Sequence, residues 1–130
     1  MKKLVIYIAG PYKGKNRRDV TDNLVTAQET IEEIYHRGAI GIFTPLMTDG
    51  FAGVFSEESM LERDLWLLEK CDAVYASLGW HNSEGAKQEI NHANQLNIPV
   101  FERFDLLGEW LNAPSKSVQR RLACQLGVEK

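Results

Sequence analysis

Four short, almost uniformly apolar runs, at residues 4–9, 39–43, 73–78 and 98–101, alternate with segments whose apolar residues recur at helical spacing. Runs of this kind fit strands covered on both faces, not half-exposed ones. Strands that alternate with helices must be joined by crossovers. These are right-handed and lay helices over both sides of a parallel sheet. The expected fold is therefore α/β, a doubly wound, flavodoxin- or Rossmann-like parallel sheet of four to five strands with helices on both faces. A chain of 130 residues has room for one core of this type, so residues 1–130 read as a single domain.

The first run ends at Gly10-Pro11 and is expected to be the central strand. Met1-Lys2-Lys3 ahead of it imitates the start of a signal peptide, but the apolar stretch is too short and reads as a buried strand. Leu24, Ala27, Ile31, Ile34 and Tyr35 then mark a crossover helix, with Asp19, Thr21 or Asp22 available as cap and Gly38 as stop. After the second strand, residues 46–55 carry two glycines without periodicity and read as a mobile loop. Ser56 with Glu57 and Glu58 starts a helix running to Cys71, and residues 85–96 form the next. Two more helices are expected, near Trp110 and after Pro114.

Charge and cysteine content exclude several classes of function. With 15 basic and 18 acidic side chains, and no basic stripe, the chain lacks the attraction to phosphate polymers on which duplex DNA or RNA binding depends. Cys71 and Cys124 form no paired motif, so neither a disulfide framework nor a zinc site is suggested. A reducing, cytoplasmic location with no membrane partner is expected. His36, His81 and His92 show no metal-ligand spacing, and no metal site is expected.

In a doubly wound sheet, ligands bind beyond the carboxyl ends of the strands, where the winding reverses. The loops at residues 10–19, 44–55 and 79–85 are therefore the ones to inspect. The first carries Gly10, Pro11, Tyr12, Lys13 and Gly14, followed by Lys15, Arg17 and Arg18. Its glycines and four cations suit an anionic group, although the spacing is neither that of a Walker loop nor Gly-x-Gly-x-x-Gly. A solvated basic turn would look the same.

Two carboxylates are more informative. Asp64 falls within the apolar stripe of Met60, Leu61, Leu65, Leu67, Leu68 and Cys71, and Glu89 falls among Ala86, Ile90 and Ala93. An acid on a core-facing stripe costs free energy unless it is paired, hydrogen-bonded or lines a cavity. Structural pairing would account for either one alone. Both, however, lie early in helices that begin at the ligand-binding edge, and Tyr7 on the central strand could hydrogen-bond one of them. Trp80 is the tryptophan best placed at this crevice, while Trp66 and Trp110 suit packing. Lys116, Arg120 and Arg121 read as the solvated face of the last helix.

Three blocks taken in order resemble the nucleoside 2-deoxyribosyltransferase superfamily, which includes the 2′-deoxynucleoside 5′-monophosphate N-glycosidases. Residues 6–14, from Ile6-Tyr7 through Gly10-Pro11-Tyr12-Lys13-Gly14, are similar to the family's Tyr-x-x-Gly-Ser/Pro start. Residues 64–74, opening with Asp64 and closing with Asp72-Ala73-Val74, resemble its Asp before an Ala-Asp-Val strand. Residues 83–89, Ser83-Glu84-Gly85-Ala86-Lys87-Gln88-Glu89, resemble the block that carries its nucleophile.

The resemblance implies one domain of this type, with Glu89 as the nucleophile, Tyr7 orienting it and Asp64 contacting the sugar and helping to protonate the leaving base. It places Gly10 to Gly14, with Ser83 and Gly85, around the sugar and phosphate. A serine at position 83, where nucleoside-specific members carry Asp, points to a 5′-phosphorylated substrate. No metal or organic cofactor is implied. The expected partners are a small-molecule nucleoside or nucleotide and further copies of the chain, as a homodimer or larger. Cleavage of an N-glycosidic bond passes through an oxocarbenium-like state that a carboxylate stabilises or captures. Hydrolysis and base exchange differ in what resolves that state. The alternative is a noncatalytic nucleotide-binding or sensor module on the same fold, or action on another ribosyl compound.

Overall fold

The computed structural model describes residues 3–12, 16–47 and 57–126. Within them the order is β1 (Val5–Ala9), α1 (Arg17–His36), β2 (Ile40–Ile42), α2 (Thr44–Met47), α3 (Glu57–Glu69), β3 (Ala73–Ala76), a 3-10 turn (Trp80–Asn82), α4 (Glu84–Gln95), β4 (Val100–Phe101), α5 (Phe104–Leu111) and α6 (Lys116–Leu126). The strands form a parallel sheet in the order β2-β1-β3-β4. The doubly wound α/β class is thus observed, with four strands among the described residues.

Strands β1, β3 and β4 divide their side chains between two cores, as the two-residue repeat of a pleated strand requires. Ile6 and Ile8 of β1, with Ala73 and Tyr75 of β3, pack against Ala27 and Ile34 of α1 and Leu107 and Trp110 of α5. Tyr7 and Ala9, with Val74 and Ala76, pack against Leu68 of α3 and Ala86, Ile90 and Ala93 of α4. The apolar runs are continuous because both faces of the sheet are covered. Trp110 belongs to the first core, whereas Trp66 is exposed and lies beside Lys70.

Several boundaries differ from the sequence reading. Helix α1 starts at Arg17 and is capped by Asn16, whose Oδ1 accepts from the Asp19 amide at 3.0 Å, so Asp19, Thr21 and Asp22 are not caps. Arg17 and Arg18 therefore leave the anion loop and stand exposed in the first helical turn. Strand β3 ends at Ala76, two residues short of the apolar run. Ser77 still donates its amide to the Ala9 carbonyl, but Leu78 projects into solvent and Gly79 turns the chain at a φ of 90°. The turn into α2 occupies residues assigned to the loop and the strand end, and residues 48–55 of that loop lie outside the described residues, as does Ser56 as a helix start.

The winding reverses between β1 and β3, which opens the crevice at their carboxyl ends. Gly10 is the residue that lets these ends close up. A Cβ there would stand 2.5 Å from Ser77 Oγ and 2.9 Å from Ser77 Cβ. Gly10→Ala is accordingly expected to lower stability by about 1–3 kcal/mol, the usual cost of overpacking. A urea midpoint equal to that of the wild type would show that the strand ends have room to separate.

Candidate active site

Glu89 is the sixth residue of α4, a helix capped by Ser83, whose Oγ accepts from the Ala86 amide at 3.2 Å. Ala86, Ile90 and Ala93 press the same face onto the sheet, and this carries Glu89 inward to 8% exposure. Tyr7 reaches it from β1. The fully buried phenol donates a short hydrogen bond to Glu89 Oε2. Thr44 Oγ1 lies 3.5 Å from the phenol oxygen. A bond of this type to a buried carboxylate contributes about 1.5–3 kcal/mol, which helps offset the cost of taking the acid out of water.

Asp64 approaches from α3 and is close enough for its charge to act on both Glu89 and Tyr7. Its Oδ1 accepts from Arg63 Nε at 3.1 Å and from a terminal guanidinium nitrogen at 2.5 Å. Burial pushes the Glu89 carboxyl up to about 7; the Tyr7 bond pulls it down and the Asp64 charge pushes it further up. Burial first, then the Glu89 and Asp64 charges, hold the Tyr7 phenol well above the ordinary range, so it remains a proton donor. The site combines a buried carboxyl whose pKa is raised towards neutrality, a neutral donor that fixes one of its oxygens, and a second acid anchored by a cation. Such an arrangement suits nucleophilic or acid–base work at a carbon bearing a leaving group.

Of the predicted triad, Tyr7 and Glu89 are joined by a hydrogen bond midway along the internal strand β1, and Asp64 stands near enough for its charge to act on both. The other predicted residues divide. Gly10, Pro11 and Tyr12 turn towards α1, where the Tyr12 carbonyl accepts from Asn23 and Pro11 lines a cavity of about 120 Å³ with Asn23, Thr26, Ala27, Phe43, Ser77 and Leu78. Lys13 and Gly14 lie outside the described residues. Ser83 caps α4, and Gly85 in its first turn has open space where a side chain would stand. Trp80 donates its indole N–H to Glu102 at 2.6 Å and stacks on His81. A larger cavity of about 320 Å³, between the loop before β4 and helix α6, contains none of the predicted site residues.

Sequence reasoning missed Thr44, Arg63 and Ser77. Arg63 adjoins Asp64 in the chain, a signal that was available. Thr44 ends an apolar run and reads as a turn residue, with nothing local to tie it to Tyr7.

A family model matches residues 4–103. The chain belongs to the family described as Domain of unknown function (DUF7768). The DUF7768 match takes in Tyr7, Thr44, Asp64, Ser83 and Glu89, whereas α5 and α6 lie beyond it. No curated protein matches the chain. No described helix is long and apolar enough to cross a membrane.

Proposed function

We propose that this chain cleaves the N-glycosidic bond of a 2′-deoxynucleoside, preferentially as its 5′-monophosphate, with Glu89 as the nucleophile. The observation that carries this reading is the buried hydrogen bond from Tyr7, midway along β1, to Glu89. Held at one oxygen by the phenol, the carboxylate is presented for attack on the anomeric carbon. The Glu89 oxygen bonds to C1′ as the C1′–N bond breaks, and the base departs with the electron pair and takes up a proton from water. Asp64 contacts the sugar and assists that departure. Water then hydrolyses the ester, or a second base displaces Glu89, which makes the reaction an exchange. No metal or organic cofactor enters this scheme.

The test is chromatographic detection of free base after incubation with deoxy- and ribonucleosides and their 5′-monophosphates, with and without a second base. Release from deoxynucleoside monophosphates is the expected result. Folded protein that releases no base from any of them would remove the proposal and favour the binding-module alternative.

Ser83 gives a second prediction. Aspartate caps a helix as well as serine does, so Ser83→Asp should fold normally. Its charge near a bound phosphate should lower kcat/KM for monophosphates, relative to nucleosides, by about tenfold or more. An unchanged ratio would place the phosphate elsewhere.

A further inference from the structure

The Tyr7 phenol has one hydrogen, and it is donated to Glu89 Oε2. Towards Thr44 Oγ1, 3.5 Å away, the phenol oxygen can therefore act only as an acceptor. Thr44 is 2% exposed, so the contact is buried. It stands two residues beyond Ile42, the β2 partner of Tyr7 in the parallel register, where the chain turns into α2. A phenolic O–H prefers the ring plane and has two orientations there. A hydroxyl that donates to the phenol oxygen leaves the phenol's own hydrogen for Glu89.

We infer that Thr44 is a positioning residue, whose hydroxyl donates to the Tyr7 phenol and thereby keeps the phenol proton directed at Glu89. The inference rests on the proposed reaction for its purpose, but its geometry stands without it. Donation into the phenol oxygen strengthens the bond the phenol makes in turn, as in any chain of hydrogen bonds. The strengthened bond favours the ionised form of Glu89 and opposes the burial that disfavours it. Among the described residues around the pair, helix α3 brings Asp64 with Arg63 bonded to it, and β3 and β4 bring the apolar Val74, Ala76 and Val100.

The experiment follows the Glu89 carboxyl directly by NMR of protein carrying 13C-labelled glutamate, its signal assigned by its loss in Glu89→Gln. Titrations of wild type, Thr44→Val and Thr44→Ser are compared without substrate. In Thr44→Val the Glu89 midpoint should rise by about half a pH unit or more, and in Thr44→Ser it should stay with the wild type. Base release by Thr44→Val should fall about three- to tenfold below that midpoint and recover above it. A Thr44→Val midpoint equal to the wild-type value, or a Thr44→Ser midpoint displaced as far as that of Thr44→Val, overturns the inference. If Thr44→Val does not fold, Thr44→Ala takes its place against Thr44→Ser. Base release with no displaced midpoint removes the role of Thr44 and leaves the reaction. A displaced midpoint without base release supports the positioning role and removes the reaction.

Discussion

Replacing Glu89 by Gln is expected to reduce base release by about a thousandfold or more, the scale set by losing a covalent nucleophile, while making the protein more stable at pH 8. The two effects have one cause. The carboxyl binds its proton more tightly in the folded chain, where its pKa is about 7, than at its ordinary value of 4.5. Between those two pH values the folded state holds more protons than the unfolded state, so stability falls as pH rises. The stability associated with the protonated carboxyl is complete below about 4.5 and lost by the time pH passes 7. A shift of this size corresponds to about 3 kcal/mol. Glutamine keeps an acceptor for Tyr7 and never ionises. Thermal melts should therefore show the variant ahead of the wild type at pH 8 and level with it near pH 4. Parallel melts at all pH values would mean that Glu89 is not held in a desolvated site.

Tyr7→Phe should displace the pH dependence of the reaction. The phenol is the group that pulls the Glu89 carboxyl down against burial and the Asp64 charge, so its removal lets the carboxyl rise further. An ionised nucleophile gives a rate that climbs as pH rises through its midpoint and then levels off. In the wild type that limb should lie near 7, and in Tyr7→Phe it should move about one unit to the alkaline side. At neutral pH kcat/KM should fall about ten- to a hundredfold, with partial recovery at pH 9. A limb of the opposite sign, with rate falling above 7, would make Glu89 a proton donor. An unmoved limb would detach Tyr7 from it.

Much of this architecture was legible because its causes are local. Glu89 stood out as an acid among Ala86, Ile90 and Ala93, and those residues do press their helix face onto the sheet. Tyr7 could be placed because β1 is apolar throughout and can run only through the middle of a covered sheet. Asp64 was less distinct, since of its apolar stripe only Leu68 is fully buried. The cap of α1 was misread because Asn16 precedes two arginines, which oppose the helix dipole in a first turn, while three cap-competent residues follow. The apolar run at 73–78 overstated β3 because Leu78, though apolar, lies in solvent at 94% exposure. Thr44 was invisible for a different reason. It is 37 positions from Tyr7 in the chain, and only the pairing of β1 with β2 brings them together.

The central claim, attack by Glu89 on the anomeric carbon, is tested most directly by intact-protein mass spectrometry. The protein is incubated with a 2′-fluoroarabino nucleoside 5′-monophosphate, whose fluorine slows breakdown of a glycosyl ester. The expected result is free base in solution and a mass gain equal to the fluorinated sugar phosphate, mapped by proteolysis to the peptide containing Glu89. Base released with the adduct on any other residue, or folded protein that neither releases base nor gains mass, would contradict it.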